Sequence, residues 1–274
     1  MSWRLRLRFW GVRGSIPTPI PQNLGYGGNT SCIEVRLPND ELFIFDAGTG
    51  IRDLGLILNS QGPGVKRYIH LFFTHFHWDH IQGLPFFRPL YDPSYSMTLY
   101  STCYSSSIRE ALAGQMAGPY FPVAFQSICS NKEFVNLDAP VSLGDLTVRP
   151  FPVNHPQGAG GYRIESGGAS IVYAPDREHG HQKLDAVLRE YARNADILIL
   201  DAQYTPEEYA RFKGWGHSTW HEAAEVAREC NVKQLVLFHH DPNHDDAMVS
   251  GIVENARSRF PNTIVAREGW VGTV

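Results

Sequence analysis

Apolar and polar residues alternate along Leu5-Arg6-Leu7-Arg8-Phe9-Trp10, the period of two expected of a strand with one buried face. The runs Ser31 to Leu37 and Glu41 to Phe45 predict a hairpin across Pro38-Asn39-Asp40. Between these strands, residues 11–31 are rich in Gly and Pro and predict a long ordered loop. Helical spacing covers Ile51 to Asn59 and stops at Gln61-Gly62-Pro63-Gly64, ahead of the apolar run Tyr68 to Phe73. Further strands are predicted at Met97 to Tyr100, and at Phe134 to Leu137 and Leu146 to Phe151 on either side of Leu143-Gly144-Asp145. Gly161 to Glu165 and Ser170 to Ala174 form a hairpin pattern across Ser166-Gly167-Gly168, and Ile197 to Leu200, Val232 to Phe238 and Thr263 to Ala266 complete the strands. Helices are predicted over Ser105 to Gln115, His181 to Arg193 and Asp245 to Arg259. Another follows Thr219, where Glu222 three residues on makes a capping box and Ala223, Val226, Ala227 and Cys230 keep helical spacing. This order suits one domain over 1–274 with two sheets face to face and helices outside.

Composition narrows the function classes. The chain has 274 residues, 43% of them hydrophobic, enough for a substantial core. A net charge of −4 argues against a protein whose main task is to wrap a nucleic-acid backbone. The four cysteines, Cys32, Cys103, Cys129 and Cys230, include no C-x-x-C pair, so a reducing, cytoplasmic setting is expected. The N-terminus lacks a signal-peptide core and no stretch has membrane length, so a soluble protein is expected.

The apolar run ending at Phe73 feeds directly into Thr74-His75-Phe76-His77-Trp78-Asp79-His80. Three imidazoles and a carboxylate this close are suited to a divalent cation and would strand one another without one. His75 and His77, two apart on extended backbone, share a face, whereas Asp79 and His80 require a turn that swings back. The turn Asp46-Ala47-Gly48-Thr49-Gly50 lacks the lysine and spacing of a phosphate-binding loop.

His75-x-His77-x-Asp79-His80 after an apolar strand resembles the signature of the metallo-β-lactamase superfamily, whose fold is an α+β four-layer αββα sandwich. The resemblance spans nearly the whole chain. It implies two divalent ions, zinc being expected, with manganese and iron indistinguishable from these nitrogen and oxygen ligands. The implied assignment places His75, His77 and His155 on one ion, Asp79, His80 and His239 on the other, and Asp176 between them. Asp46 is implied to support the site without ligating. His239 is taken over His240 on alignment, since successive strand residues face opposite ways. His240 is left beside the site or on the substrate. A redox role is disfavoured, because oxygen-reducing members of the superfamily typically carry an acid where this chain has His77.

Gly216-His217-Ser218-Thr219, leading into an Ala-rich helix, resembles the phosphodiesterase branch, which includes tRNA 3′-processing endonucleases and cyclic-nucleotide phosphodiesterases. There a histidine at the position of His217, held by an acid at the position of Asp201, protonates the leaving oxygen. A carboxylate fixes an imidazole's tautomer and raises its pKa, and an alkoxide needs such a donor more than a thiolate does. The basic arm by which tRNA-processing relatives hold tRNA has no clear counterpart. The expectation is a phosphodiesterase acting on a small cyclic or linear nucleotide, by attack of a metal-bridging hydroxide. His217, Asp201 and the ligand Asp79 are its catalytic set, and a homodimer is implied. RNA 3′-end processing, thioester or lactone hydrolysis, and a non-catalytic sensor are the alternatives. Arg13, Asn29 and Ser31 are candidates for phosphate contact or for a structural role, and 118–125 for pocket lining or core.

Overall fold

The computed structural model describes residues 3–60, 67–102 and 107–274. Its first sheet runs in the order β14-β1-β2-β3-β4-β5-β6. The strands are β1 Arg6–Gly11, β2 Cys32–Arg36, β3 Leu42–Phe45, β4 Tyr68–Phe73, β5 Ser96–Ser101, β6 Asn131–Asn136 and, from the far C-terminus, β14 Val271–Thr273. The second sheet, in the order β13-β12-β11-β10-β9-β8-β7, contains β7 Val141–Leu143, β8 Leu146–Val153, β9 Ala159–Ser166, β10 Ala169–Ala174, β11 Ile197–Asp201, β12 Gln234–Phe238 and β13 Thr263–Val265. Each sheet begins as an antiparallel meander and continues as parallel strands.

The parallel strands β10, β11 and β12 read as largely apolar runs because both of their faces are covered. Alternate residues of one strand enter different cores. Ile171 and Tyr173 of β10, Ile199 of β11, and Val236 and Phe238 of β12 pack between the sheets against Phe9, Phe43, Phe45 and Phe72. Val172, Leu198, Leu200, Leu235 and Leu237 instead pack outward with residues of α4 Gln182–Ala192, α6 Trp220–Glu229 and α7 Asp246–Arg259. On the opposite side, Ile44, Leu71 and Leu99 pack with α1 Ile51–Ser60 and α3 Ile108–Gln115. The expected four-layer αββα sandwich is therefore what the chain forms.

The C-terminal ends of β3, β4, β8, β10, β11 and β12 lead into Asp46, His75, His155, Asp176, Asp201 and His239 respectively. Strand direction thus carries every site-bearing turn to one edge of the sandwich, where two short helices also lie, α2 Trp78–Ile81 and α5 Pro206–Phe212.

Some elements differ from the sequence expectation. The short β7 was not expected: it pairs with β8 across the Gly144 turn, while β6 joins β5 in the first sheet. β14 was not expected, since three residues around a glycine show no period, yet it caps the first sheet by pairing with β1. At α6, Thr219 accepts from the Glu222 amide, but the Glu222 carboxylate turns to Arg189 instead of closing the capping box. The complete box is at α5, between Thr205 and Glu208 with Pro206 at the first position. Gln61 to Gly64, Cys103 and the first residues expected of α3 lie outside the described residues.

Phe9 is fully buried between the sheets, with ring centroids 5.8 Å from Phe238 and 5.6 Å from Trp270. Phe9→Ala should cost about 3–5 kcal/mol in a denaturant titration. A loss under about 1 kcal/mol would contradict this placement between the sheets.

Candidate metal centre and active site

Burial removes water from the histidines at this edge, so each ring needs a protein partner for whichever nitrogen carries a proton. The structure supplies one in every case. His80 Nδ1 lies 2.9 Å from Asp46 Oδ2, His155 Nδ1 lies 2.8 Å from the Gly216 carbonyl, and His239 Nδ1 lies 2.9 Å from Gln203 Oε1. His75 Nδ1 is 3.1 Å from Thr74 Oγ1, whose own proton goes to Asp46. His77 is reversed: its Nε2 donates to Gln157 Oε1 at 3.0 Å, which leaves a lone pair on Nδ1, 3.0 Å from His155 Nε2. Fixing the protonated nitrogen in this way fixes the lone pair on the other.

Those lone pairs converge. Ligand atoms of His75, His77 and His155 lie within 4.8 Å of one another, and so do those of Asp79, His80, Asp176 and His239. Asp176 faces both groups. Its Oδ1 is 3.0 Å from His80 Nε2 and 3.3 Å from His239 Nε2, while its Oδ2 is 3.7 Å from His75 Nε2 and 3.9 Å from His155 Nε2. Asp79 Oδ2 accepts from the Ser15 amide at 2.7 Å and lies 3.1 Å from His239 Nε2.

Burial pushes the His155 imidazole down to about 4 and that of His75 well below its ordinary range, so both are neutral lone-pair donors. Burial alone would raise Asp176, but the surrounding His239, His80 and His75 hold it ionised. Among the described residues, His75 Nε2, His80 Nε2 and Asp176 Oδ1 are buried with no well-aligned hydrogen bond, although the last two lie 3.0 Å apart. Such atoms cost on the order of 1–3 kcal/mol each when unsatisfied, and a divalent cation removes that penalty for several at once. The donor set of imidazoles and carboxylates fits two divalent ions of the zinc type.

Beside this cluster, His217 stacks on His239 with ring centroids 4.8 Å apart. Its Nδ1 donates to Asp201 Oδ2 at 2.9 Å, which leaves Nε2 for a ligand. The fully buried Asp201 also accepts from the amides of Arg177, Gln203 and Ser218. Burial would lower the His217 pKa, but the charge and hydrogen bond of Asp201, with Asp176 and Asp79 behind, hold it at about 9.

All of His75, His77, Asp79, His80, His155, Asp176, Asp201, His217 and His239 come together here. His240 does not: it is buried with Nε2 on the Ala266 carbonyl, while the left-handed backbone of His239, φ 62°, turns that neighbour into the site. Arg13 is structural, with its guanidinium wholly buried on the carbonyls of Gly27, Asp241 and His244. Asn29 is held by Glu268. Within 118–125, Phe125 is core and Tyr120 is exposed.

Sequence reasoning missed the groups that orient the ligands, namely Thr74, Gln157, Gln203 and the Gly216 carbonyl. It also passed over Gly14, where a Cβ would stand 2.4 Å from the His239 ring.

The profile of the beta-lactamase superfamily domain matches residues 42–240. The chain belongs to that superfamily. Ribonuclease Z of Thermoplasma acidophilum is 24% identical, over 98% of this chain and 96% of that protein. Their alignment runs over 326 positions, more than the 274 residues here, so the relative carries segments that this superfamily member lacks. Among solved structures, a diphosphatase from the PhnP family superposes with a TM-score of 0.72 at 20% identity, covering 99% of this chain and 98% of that one. The short form of human tRNase Z superposes with a TM-score of 0.67 at 20% identity, covering 98% and 99%. These two likenesses establish the fold. Among the described residues, no helix is long and apolar enough to cross a membrane.

If Gln203 fixes the His239 tautomer, Gln203→Leu should weaken zinc binding about 10- to 100-fold. Competition against a chromogenic chelator reads this directly, and wild-type affinity would remove Gln203 from the account.

Proposed function

We propose that this superfamily member is a two-metal phosphodiesterase acting on a small cyclic or linear nucleotide. The observation that carries the proposal is the His217–Asp201 pair, stacked on His239 at the margin of the carboxylate-histidine cluster. His75, His77 and His155 would hold one divalent ion, Asp79, His80 and His239 the other, and Asp176 would face both. Such ions lower the pKa of a bound water and neutralise charge on phosphoryl oxygens.

The chain's own groups do the rest. Asp201 keeps the proton of Nδ1 in place and stabilises the imidazolium, so His217 offers its Nε2 proton to a departing alkoxide. A thiolate leaves without that help, which disfavours a thioester substrate. The cluster retains every expected ligand, which disfavours a sensor role. The net charge of −4, without a clear counterpart to the basic arm of the tRNA-processing relatives, supports a small substrate over a tRNA. Zinc is the expected ion and a homodimer the expected assembly.

RNA 3′-end processing is the second reading, favoured by the full-length similarity to ribonuclease Z. Parallel assays on a precursor tRNA and on cyclic nucleotides separate the two, and efficient cleavage of the precursor alone would overturn the small-substrate proposal.

His217→Ala should lower kcat by about 10²- to 10⁴-fold on a diester that releases an alkoxide, with metal content unchanged. Loss of metal in this variant would instead make His217 a ligand. An acid must be protonated to act, so kcat should fall as pH rises through the His217 pKa. Asp201→Asn removes the charge that raises that pKa and should move the alkaline limb to lower pH. An unmoved limb would remove the pair from the proton path.

A further inference from the structure

Glu178 lies two residues beyond Asp176 and is 7% exposed, yet neither the metal cluster nor the His217–Asp201 pair uses it. Its carboxylate is saturated by one short segment of chain. Oε1 accepts from the Gly214 amide at 2.7 Å and from the Tyr209 hydroxyl at 2.9 Å, and Oε2 accepts from the Gly216 amide at 3.0 Å. The backbone of Glu178 is tied to Asn154 in both directions: its amide donates to the Asn154 carbonyl at 2.7 Å, and its carbonyl accepts from Asn154 Nδ2 at 2.9 Å.

The segment so gripped, Gly214-Trp215-Gly216, does two things. The Gly216 carbonyl takes the Nδ1 proton of His155, and the next residue is His217. Both of its glycines have left-handed backbone, φ 90° at Gly214 and 93° at Gly216, and a Cβ at Gly216 would stand 2.5 Å from His155 Nδ1. A strap made of two glycines has little stiffness of its own. Among the described residues, the Gly214 and Gly216 amides both donate to Glu178.

We infer that Glu178 is a positioning residue, whose carboxylate clamps the Gly214–Gly216 strap and so sets at once the tautomer of His155 and the placement of His217. The part of this inference that concerns His217 rests on the proton-donor role given above; the part that concerns His155 does not. Charge matters less here than acceptor geometry. A carboxylate offers acceptors on both oxygens, whereas the isosteric glutamine turns an N–H₂ group toward one of the strap amides and cannot satisfy both.

Glu178→Gln in the full-length protein tests this with two readouts besides turnover. Amide hydrogen exchange across 214–217 should accelerate about tenfold or more, as expected when backbone hydrogen bonds open locally. Zinc affinity should fall about 10-fold as His155 loses its fixed partner. Tyr209→Phe removes one of the three hydrogen bonds that hold the Glu178 carboxylate and should show the same changes at a few-fold level, which keeps the inference testable if the glutamine variant folds poorly. Wild-type exchange at 214–217, or accelerated exchange with unchanged zinc affinity, would overturn the clamp. In turnover, Glu178→Gln should lose more on a diester that releases an alkoxide, such as 3′,5′-cyclic AMP, than on bis(4-nitrophenyl) phosphate. If the exchange and zinc effects appear but His217→Ala shows no such dependence on the leaving group, the clamp on His155 stands and the proton-donor role of His217 fails.

Discussion

Imidazole rings at this edge of the sandwich are crowded to centroid separations of 4.3 Å between His75 and His80 and 4.4 Å between His75 and His77. Such crowding is sustainable only if each ring points a lone pair, not a proton, into the shared space. Acceptors behind the rings enforce this: Asp46, Thr74, Gln157, Gln203 and the Gly216 carbonyl each take the proton on the far nitrogen. The sheets in turn exist to hold those acceptors in register. Asp46 follows β3, Thr74 follows β4 and Gln203 follows β11, so the tautomers depend on strands whose positions are set by the core.

The same edge uses local strain where the general geometry would misdirect a side chain. Asp46 and His239 both adopt left-handed backbone, at φ 62° in each case, a conformation costly for non-glycine residues and tolerated where surrounding contacts fix it. At His239 this settles which of two adjacent histidines faces the cluster. No pattern of residue types could have settled it, because His239 and His240 are chemically identical and the choice is made by one backbone torsion.

Other features were legible for physical reasons that can be named. His75 to His80 could be read because ligand chemistry is concentrated in six residues, whereas Asp176 and His155, each after an apolar strand, were implied only by the family resemblance. The order of strands and helices suited two sheets with helices outside, but the four-layer sandwich itself came from the family resemblance. The orienting residues were not legible, since a threonine, two glutamines and a carbonyl carry no signal until the fold places them behind a ring. Arg13 stayed open for a related reason: a guanidinium in a glycine-rich loop suits a phosphate as well as it suits three carbonyls, and only burial decides. The capping box expected at Thr219 failed in part because Glu222 found Arg189, a tertiary partner invisible to local spacing.

The central claim is that two ions, jointly faced by Asp176, make this edge a phosphodiester-cleaving site. Titrating chelator-treated protein with zinc while following both bound metal and hydrolysis of a phosphodiester tests it most directly. The account predicts saturation at two ions per chain, with activity rising only as the second site fills. Saturation at one ion with full activity, or two bound ions with no phosphodiester cleavage across a substrate panel, would contradict it.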